Sequence, residues 1–207
     1  MRWEYDGLPL NRKELEADPL LLFKSWFQAA KITEGNRANL MTLATMDKNS
    51  PDARIVLLKA IDINGLIFFT DKNSPKSKQL KKNSRACLVF SWPNLNRQVR
   101  AWCNATTIGK AEASEYFATR PRASQIASSI SKQSMEIETR KDLELAYKNF
   151  EKQQINKKVS TPEHWGGFYL MPFKWEFWQG RPGRLHDRFL YERKDEKGRW
   201  GIKRLQP

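Results

Sequence analysis

The chain has 207 residues, 40% of them hydrophobic, and a formal net charge of +14 at pH 7. This length is enough for one large domain with a buried core, and a single domain over residues 1–207 is expected. There is no run of about 18 apolar residues, and the N-terminal stretch is too acidic and interrupted for a signal peptide, which predicts a soluble, cytoplasmic protein. The charge predicts attraction to an anion: nucleic acid, an anionic membrane surface or a phosphorylated small molecule.

Common motifs for binding metals and nucleotides are absent from the sequence. The two cysteines, Cys87 and Cys103, lie in apolar, strand-like runs without the nearby Cys or His partners that a metal site needs. Both are therefore interpreted as buried free thiols, and no metal is expected. There is also no glycine-rich phosphate-binding loop, so any phosphate would have to be held by side chains.

The first predicted element is an amphipathic helix over residues 17–32. Asp18 is its expected N-cap and Pro19 its first helical residue. Its apolar face is formed by Leu22, Phe23, Trp26 and Phe27. The helix is therefore expected to pack on a sheet.

Short β-rich runs follow between residues 38 and 109. They cover residues 39–46, 53–61, 65–71, 85–92 and 97–109. Turn-forming stretches separate the runs, and Asn64-Gly65 is a strong hairpin signal. Five strands at this even spacing favour an antiparallel sheet that closes into a barrel over a doubly wound parallel sheet.

The remaining half of the chain mixes both kinds of element. Helices are predicted over residues 110–120 and from about residue 136 to 158, followed by a strand at 164–180 and a closing hairpin at 188–205 that turns at 195–198. Many lysines, as in residues 76–82 and 148–158, have the spacing of solvated helix faces, which accounts for most of the charge.

Cations interrupt several apolar strands. Arg54 and Lys59 bracket one of them, and Arg97 and Arg100 lie in another. A cation at the end of a buried strand is costly unless it meets an anion, and the guanidinium fork matches the oxygens of a phosphate. In a regular strand Arg54 and Lys59 would face opposite sides, which allows them to serve different anions. The alternative for each is a surface ion pair or a side chain lying over the sheet.

The stretch from Arg181 to Arg188 concentrates charge beside one of only two histidines. In an extended segment Arg184, His186 and Arg188 would share one face, opposite Leu185 and Asp187. Three potential cations facing one way are unfavourable for folding unless something negative lies opposite. A lone histidine is more often structural, but these neighbours favour a binding role for His186.

A second candidate anion site comes from Tyr116, Arg120 and Ser124, spaced at i, i+4 and i+8. On a continuous helix they would share a face and could bind one anion through two hydroxyls and a guanidinium. Pro121 complicates this arrangement, because it is expected to start a new helical turn.

Five motifs in this order resemble the pyridoxine (pyridoxamine) 5′-phosphate oxidase family over nearly the whole chain. They are RIVLLK (54–59), RQVR (97–100), YFATRPRASQIASSISKQS (116–134), EFWQGRPGRLHDR (176–188) and IKRLQP (202–207). The resemblance implies a mixed β+α fold, an FMN-binding split β-barrel of antiparallel strands with flanking helices. It further implies a homodimer with FMN at the interface, a flexible segment at residues 1–16 that covers the substrate, and a dimerisation and substrate-site part at residues 164–207.

The resemblance also implies roles for individual residues. FMN would contact Arg54, Ile55, Val56, Leu57, Leu58, Lys59, Phe69, Thr70, Lys76, Gln98, Gln133, Ser134, Trp178 and Arg188. The substrate would contact Arg2, Tyr5, Lys59, Tyr116, Arg120, Ser124, Arg184, Leu185 and His186. Of these, Arg184 and His186 would lie over the pyridine ring at the flavin and act as the catalytic residues.

The implied activity is FMN-dependent oxidation of pyridoxine 5′-phosphate or pyridoxamine 5′-phosphate to pyridoxal 5′-phosphate, with O2 as acceptor and H2O2 as product, and without nucleic-acid or membrane partners. One alternative is a flavin-binding split-barrel relative with altered or no oxidase activity, since a fold does not fix chemistry. Another is a nucleic-acid-binding module, motivated by the charge and the eight tryptophans. Core packing explains those aromatics better, because most lie inside strand-like hydrophobic runs.

Two departures from the family pattern stand out. The chain reads Pro75-Lys76 where the family usually has Arg-Lys, which removes a guanidinium expected at the FMN phosphate. The residues Ala101, Trp102 and Cys103 replace a typical Ile-Glu-Gly. The first departure predicts weaker retention of FMN than is usual in the family.

Overall fold

The computed structural model of the chain describes residues 4–63, 65–193 and 199–207. The strands are β1 Leu40–Asp47, β2 Ser50–Leu57, β3 Ala60–Asp62, β4 Gly65–Asp71, β5 Arg85–Trp92, β6 Arg97–Thr107, β7 Trp165–Gln179, β8 Asp187–Arg193 and β9 Trp200–Leu205. The helices are α1 Pro19–Glu34, α2 Pro75–Lys82, α3 Lys110–Thr119, α4 Arg122–Ile130 and α5 Arg140–Gln153. The hairpin predicted at Asn64-Gly65 is confirmed, because β3 and β4 pair antiparallel with Asp62 opposite Gly65. The turn predicted at residues 195–198 falls outside the described residues.

The strands form one antiparallel sheet in the order β2-β1-β5-β6-β7-β4-β3, with β8 paired to β7 and β9 paired to β8. The prediction of antiparallel rather than parallel pairing is therefore confirmed. Among the described residues the ladder does not close into a complete barrel, because β2 and β3 end the order without pairing to each other. The cavity described below lies between β2 and β4.

Helix α1 covers the sheet as the sequence predicted. It begins at Pro19, and the side chain of Asp18 accepts a hydrogen bond from the Leu20 amide at 2.9 Å. The ring of Phe23 lies 4.9 Å from that of Phe90 and 5.2 Å from that of Trp175. Burying an aromatic side chain of this kind contributes about 1.5–3 kcal/mol to stability. These contacts join the helix to the central strands in one core.

Helix α2 agrees with the prediction that many of its lysines lie on a solvated face, with one exception. Lys78, Lys81 and Lys82 are exposed, but Lys76 is only 8% exposed. Its ammonium group points inward and donates to the side chain of Gln133 at 2.7 Å. Partners inside the protein therefore compensate for the burial of this charge.

The two cysteines are free thiols that occupy opposite faces of the sheet. Cys103 is fully buried beside a register shift between Trp102 and Cys103, whereas Cys87 is half-buried rather than fully buried as predicted. Alternation along β5 explains the difference, because Cys87 faces away from the core. Burial raises the pKa of the Cys87 thiol and raises that of Cys103 well above its usual range. Within the described ranges, every helix is too short or too polar to cross a membrane.

Candidate active site

A cavity of about 900 Å³ opens between β2, β4, the start of α2 and the α3–α4 corner. Most of the residues that the sequence assigned to phosphate and cofactor binding line it: Arg54, Ile55, Val56, Leu57, Lys59, Phe69, Thr70, Lys76, Tyr116, Arg120, Ser124, Gln133 and Ser134. Leu58 does not line the cavity, because its side chain is 4% exposed and belongs to the core. One cavity thus collects residues from four separate parts of the sequence.

Arg54 and Lys59 line this same cavity, although strand alternation predicted that they face opposite sides. The physical reason is that β2 ends at Leu57, so the alternation does not continue to Lys59. Beyond the strand, the Lys59 amide donates to the carbonyl of Ile67 on β4 at 2.8 Å. The chain therefore leaves β2 at the edge of the cavity, with both cations along its wall.

One pair of cations in the cavity is formed by Arg54 and Lys76. Burial lowers the pKa of Lys76, and the neighbouring charge of Arg54 lowers it further. The oxygen of the Gln133 side chain accepts hydrogen bonds from Lys76 and, at 2.8 Å, from the Thr70 hydroxyl. The charges of Asp71 and Asp52 partly offset the lowering of the Lys76 pKa. Two cations in a partly buried place favour binding of an anion.

A second pair of cations is formed by Lys59 and Arg120. Burial lowers the pKa of Lys59, and the charge of Arg120 adds to that effect. The Arg120 guanidinium lies 4.1 Å from the centre of the Trp165 ring and donates to the Ser128 hydroxyl at 2.9 Å. This guanidinium is therefore oriented before any ligand binds.

Tyr116 and Ser124 line the same cavity as Lys59 and Arg120, although the helix breaks between them. The break lies where Pro121 predicted it, since α3 ends at Thr119 and α4 begins at Arg122. The Tyr116 ring stacks on Phe69, with centroids 4.0 Å apart and planes at 5°. Burial raises the pKa of Tyr116, so its hydroxyl keeps its proton and can donate a hydrogen bond.

Phe69 owes its position to a glycine on the neighbouring strand. It pairs with Gly167 of β7, where an added Cβ would lie 2.8 Å from the Phe69 ring. A side chain at this position would collide with the Phe69 ring, on which Tyr116 stacks. The second glycine of the sequence HWGG, Gly167, is thus required by this close approach.

Four of the other predicted residues, Tyr5, Gln98, Trp178 and His186, form a second group elsewhere on the chain. The His186 ring lies 5.1 Å from that of Tyr5 and 4.7 Å from that of Trp178. Gln98 is the cross-strand neighbour of Trp178, and both line a smaller pocket with Tyr5. An added Cβ at Gly180 would lie 2.5 Å from the Tyr5 ring, so this glycine permits the contact.

His186 is held in a defined chemical state. Its Nδ1 accepts a hydrogen bond from the Arg181 amide at 3.1 Å, which places the proton of the neutral ring on Nε2. Burial lowers the pKa of His186, and the charge of Arg184 lowers it further. At neutral pH the ring is therefore a neutral donor through Nε2.

The prediction of an extended segment with three cations on one face is wrong. Pro182–Arg184 form a short 3₁₀ turn in which Gly183 and Arg184 have φ of 63° and 64°, and β8 begins only at Asp187. Arg188 lies in β8 and forms an ion pair with Glu176 at 3.2 Å, so its anion is supplied by the protein. A left-handed residue other than glycine is uncommon and often marks a functional position, which favours a role for Arg184.

The N-terminal segment, expected to be flexible, makes defined contacts in this structure. The Leu10 amide donates to the Asp187 carboxylate at 3.0 Å, and Arg204 pairs with the same carboxylate. Further along, the Tyr191 hydroxyl donates to the carbonyl of Glu16 at 2.9 Å. Mobility of this segment stays a prediction, and Arg2 lies outside the described residues.

The sequence did not predict several of the residues that line the cavity. Asp52 lines the cavity and forms an ion pair with Arg54 at 2.5 Å, and Gln79 donates to Asp52 at 2.8 Å. The position of Asp52 two residues before Arg54, on the same face of β2, was a usable signal. Trp165 was missed because its run of aromatic residues resembles ordinary core sequence.

The two groups of residues line separate pockets. Among the described residues, no residue lines both the large cavity and the smaller pocket. The first group offers cations and hydroxyls, and the second offers aromatic rings and a neutral histidine. The two groups therefore have complementary chemistry at separate places.

Comparison with known proteins identifies the family. Residues 29–154 match the family model "Pyridoxamine 5'-phosphate oxidase", and residues 165–207 match the "Pyridoxine 5'-phosphate oxidase C-terminal dimerisation region". Pyridoxine/pyridoxamine 5'-phosphate oxidases from Leptospira interrogans and Chromohalobacter salexigens are each 44% identical over 208 residues, covering 100% of this chain and 97% of the relative.

Solved structures show the same fold. PhzG from Burkholderia lata 383, in complex with tetrahydrophenazine-1-carboxylic acid, has a TM-score of 0.90 at 25% identity and covers 99% of this chain and 100% of that chain. A pyridoxamine 5'-phosphate oxidase-related, FMN binding protein from Nostoc punctiforme has a TM-score of 0.73 at 17% identity, covering 89% of this chain and 97% of that chain. The chain thus belongs to the pyridoxamine 5′-phosphate oxidase family, whose members are flavoprotein oxidoreductases with FMN as cofactor.

Proposed function

We propose that this protein oxidises pyridoxine 5′-phosphate or pyridoxamine 5′-phosphate to pyridoxal 5′-phosphate, with FMN as cofactor and O2 as electron acceptor. The observation that carries the proposal is the presence of two cation pairs in one cavity, Arg54 with Lys76 and Lys59 with Arg120. A protein that binds only FMN needs one phosphate site. The second pair fits a second phosphate, that of the substrate.

The residues present fit the two phosphates. Arg54 and Lys76, close to Thr70 and Gln133, would hold the flavin phosphate. The substrate phosphate would meet Lys59, Arg120, Tyr116 and Ser124. Each of these groups offers N–H or O–H donors, and charge-assisted bonds to phosphate are the strongest hydrogen bonds of this kind.

The protein contributes placement and charge to the reaction. When bound, FMN would supply the redox chemistry, in which the substrate loses a hydride from C4′ and O2 is reduced to H2O2; with the amine substrate, water adds to C4′ and ammonia leaves. Arg184 and His186 would orient the pyridine ring, and the Nε2 proton of His186 is available for a hydrogen bond to it. Fixing both phosphates brings the reacting groups close together, which is the main rate contribution expected from binding.

The site is proposed to form across a homodimer interface. Residues 165–207 match a dimerisation region, and this range contains Trp178, Arg184, His186 and Arg188. The large cavity of one copy would be completed by these residues of the other copy. This arrangement explains why two groups with complementary chemistry lie apart on a single chain. A cytoplasmic location is proposed with it, in keeping with the free thiols of Cys87 and Cys103.

The direct test is anaerobic reduction of the bound flavin. The protein is reconstituted with FMN, pyridoxine 5′-phosphate is added without oxygen, and the visible absorbance is followed. The proposal predicts bleaching that reverses when air is admitted. Colour that persists with both phosphorylated vitamers would show that the protein binds flavin without this oxidase activity.

A second candidate function is oxidation of a different substrate on the same fold. PhzG, whose solved structure holds tetrahydrophenazine-1-carboxylic acid, resembles this chain over nearly its full length. Bleaching by a carboxylated tricyclic compound, without bleaching by phosphorylated vitamers, would favour that candidate. The cation pair Lys59 and Arg120 favours the phosphorylated substrate.

A further inference from the structure

Arg54 donates through both terminal nitrogens of its guanidinium to groups of the protein. Nη1 donates to the Leu43 carbonyl at 3.1 Å and to the Thr45 hydroxyl at 2.7 Å. Nη2 donates to the Gln79 side-chain oxygen at 3.2 Å and lies 2.5 Å from a carboxylate oxygen of Asp52. Each terminal nitrogen carries two hydrogens, so only the Nε hydrogen is left for a ligand.

Asp52 differs from the other three partners in charge and exposure. Its side chain is 43% exposed and lines the cavity, whereas Thr45 and Gln79 are 3% and 7% exposed. Gln79 donates to Asp52 at 2.8 Å and fixes the carboxylate beside the guanidinium. The hydrogen bond from Gln79 and the charge of Arg54 hold the pKa of Asp52 below its usual value, against the effect of its partial burial. Asp52 is therefore an anion at neutral pH.

A fixed anion in an anion-binding cavity opposes the ligand. A phosphate approaching Arg54 meets the negative charge of Asp52 and finds one hydrogen of Nη2 directed to that carboxylate. The neutral partners Leu43, Thr45 and Gln79 would keep the guanidinium in place without Asp52. Loss of the carboxylate would thus free a donor without releasing the arginine.

We propose that Asp52 is an internal counter-ion that occupies Arg54 in the flavin-free protein and that the phosphate of FMN must displace. Asp52 thereby limits the affinity for FMN while it compensates the charge of Arg54. The proposal rests on the placement of the flavin phosphate at Arg54 made above. It concerns the phosphate alone, so it distinguishes FMN from riboflavin.

The experiment compares FMN and riboflavin binding by quenching of flavin fluorescence. The full chain, freed of flavin, is titrated as wild type, Asp52→Asn and Asp47→Asn. Asp47 is exposed at the end of β1 and outside the cavity, so Asp47→Asn matches the change in net charge. Asp52→Asn is expected to bind FMN about three- to tenfold more tightly. Its riboflavin affinity, and both affinities of Asp47→Asn, are expected to equal those of wild type.

Two further variants keep the result decisive. Asp52→Ala, which also removes the bond from Gln79, must tighten FMN binding as well. Arg54→Gln tests the underlying placement and should weaken FMN binding about tenfold or more, without an effect on riboflavin. If Arg54→Gln binds FMN like wild type, the placement itself is wrong. A different outcome overturns only the counter-ion proposal. In it, Arg54→Gln weakens FMN binding as expected, but neither Asp52 variant binds FMN more tightly, or the Asp52 variants bind riboflavin more tightly to the same extent.

Discussion

The ring of Tyr5 meets the ring of His186 edge to face, with centroids 5.1 Å apart and planes at 87°. The two residues come from opposite ends of the chain, so the contact depends on how the N-terminal segment is attached. One attachment is at Asp187, the residue next to His186, which accepts from the Leu10 amide. Asn96 provides another, donating to the Asp6 carboxylate at 2.7 Å. The charge of the Asp187 carboxylate therefore affects the contact between Tyr5 and the proposed catalytic residue His186.

Asp187→Asn is expected to loosen the N-terminal segment. The substitution weakens the bond from the Leu10 amide and removes the ion pairs with Arg204 and Arg181. A hydrogen bond to a charged group contributes about 1.5–3 kcal/mol, so hydrogen exchange at the Leu10 amide should accelerate at least about tenfold. Asp142→Asn, on exposed helix α5, is the control. Unchanged exchange at Leu10 would show that Asp187 does not hold the segment.

The same carboxylate predicts a pH dependence. Burial alone would raise the pKa of Asp187, but the Leu10 amide, Arg204 and Arg181 together lower it. A lowered folded pKa gives stabilisation that is complete above the unfolded value near 3.8 and is lost as the pH falls through the folded value. Leu10 protection should therefore be constant from neutral pH down to about pH 4 and fall below it.

Arg120→Gln is expected to weaken binding of the substrate phosphate. It removes the guanidinium that lies on Trp165 and leaves Lys59 as the remaining cation of the pair. The KM for pyridoxine 5′-phosphate should rise about 10- to 100-fold, with a smaller effect on kcat, as expected for loss of a charged hydrogen bond. The matched control is Arg122→Gln, because Arg122 donates to the carbonyls of Gln154 and Lys157 outside the cavity. Equal effects of both variants would contradict the assignment.

Pro75→Arg is expected to strengthen FMN binding. Pro75 lines the cavity at the start of α2, next to Lys76, where the family pattern supplies a guanidinium. An added arginine there should lower the Kd for FMN about tenfold, since it offers a further charge-assisted bond to the phosphate. Gln153→Arg adds the same charge on exposed α5 as a control. If the wild-type protein binds FMN tightly and Pro75→Arg leaves the Kd unchanged, the hypothesis is wrong.

Arg184→Ala is expected to raise the pKa of His186. Burial and the charge of Arg184 both lower that pKa, and the substitution removes only the second cause. The shift should be upward but incomplete, towards the ordinary value near 6.5. Titration of the His186 ring protons by NMR measures it, with His164 as the internal reference. An unchanged or lower pKa would show that Arg184 does not act on the ring.

Local patterns in the sequence predicted the elements well. The N-cap Asp18, followed by Pro19 and an apolar face, predicted α1 to within two residues at each end. Short alternating runs predicted the antiparallel strands, and Pro121 predicted the break between α3 and α4. These features depend on neighbouring residues, whose effects can be read along the chain.

Features that depend on distant residues could not be predicted in this way. The alternation rule misplaced Lys59 because it does not show where β2 ends. The left-handed turn at Gly183 and Arg184 broke the assumed extended segment, although Pro182-Gly183 was a turn signal. The ion pair of Arg188 with Glu176 depends on the register between β7 and β8, which the sequence alone does not reveal.

Mixed dimers provide the most direct test of an oxidase site assembled from two chains. One variant, Lys59→Gln with Arg120→Gln, damages the cavity, and another, Arg184→Ala with His186→Ala, damages the second group. Each alone should bleach little flavin with pyridoxine 5′-phosphate. Dimers re-formed from equal amounts should recover about a quarter of the wild-type activity, because half of the dimers then hold one intact site. Absence of recovery in mixed dimers whose formation is verified would contradict the shared site.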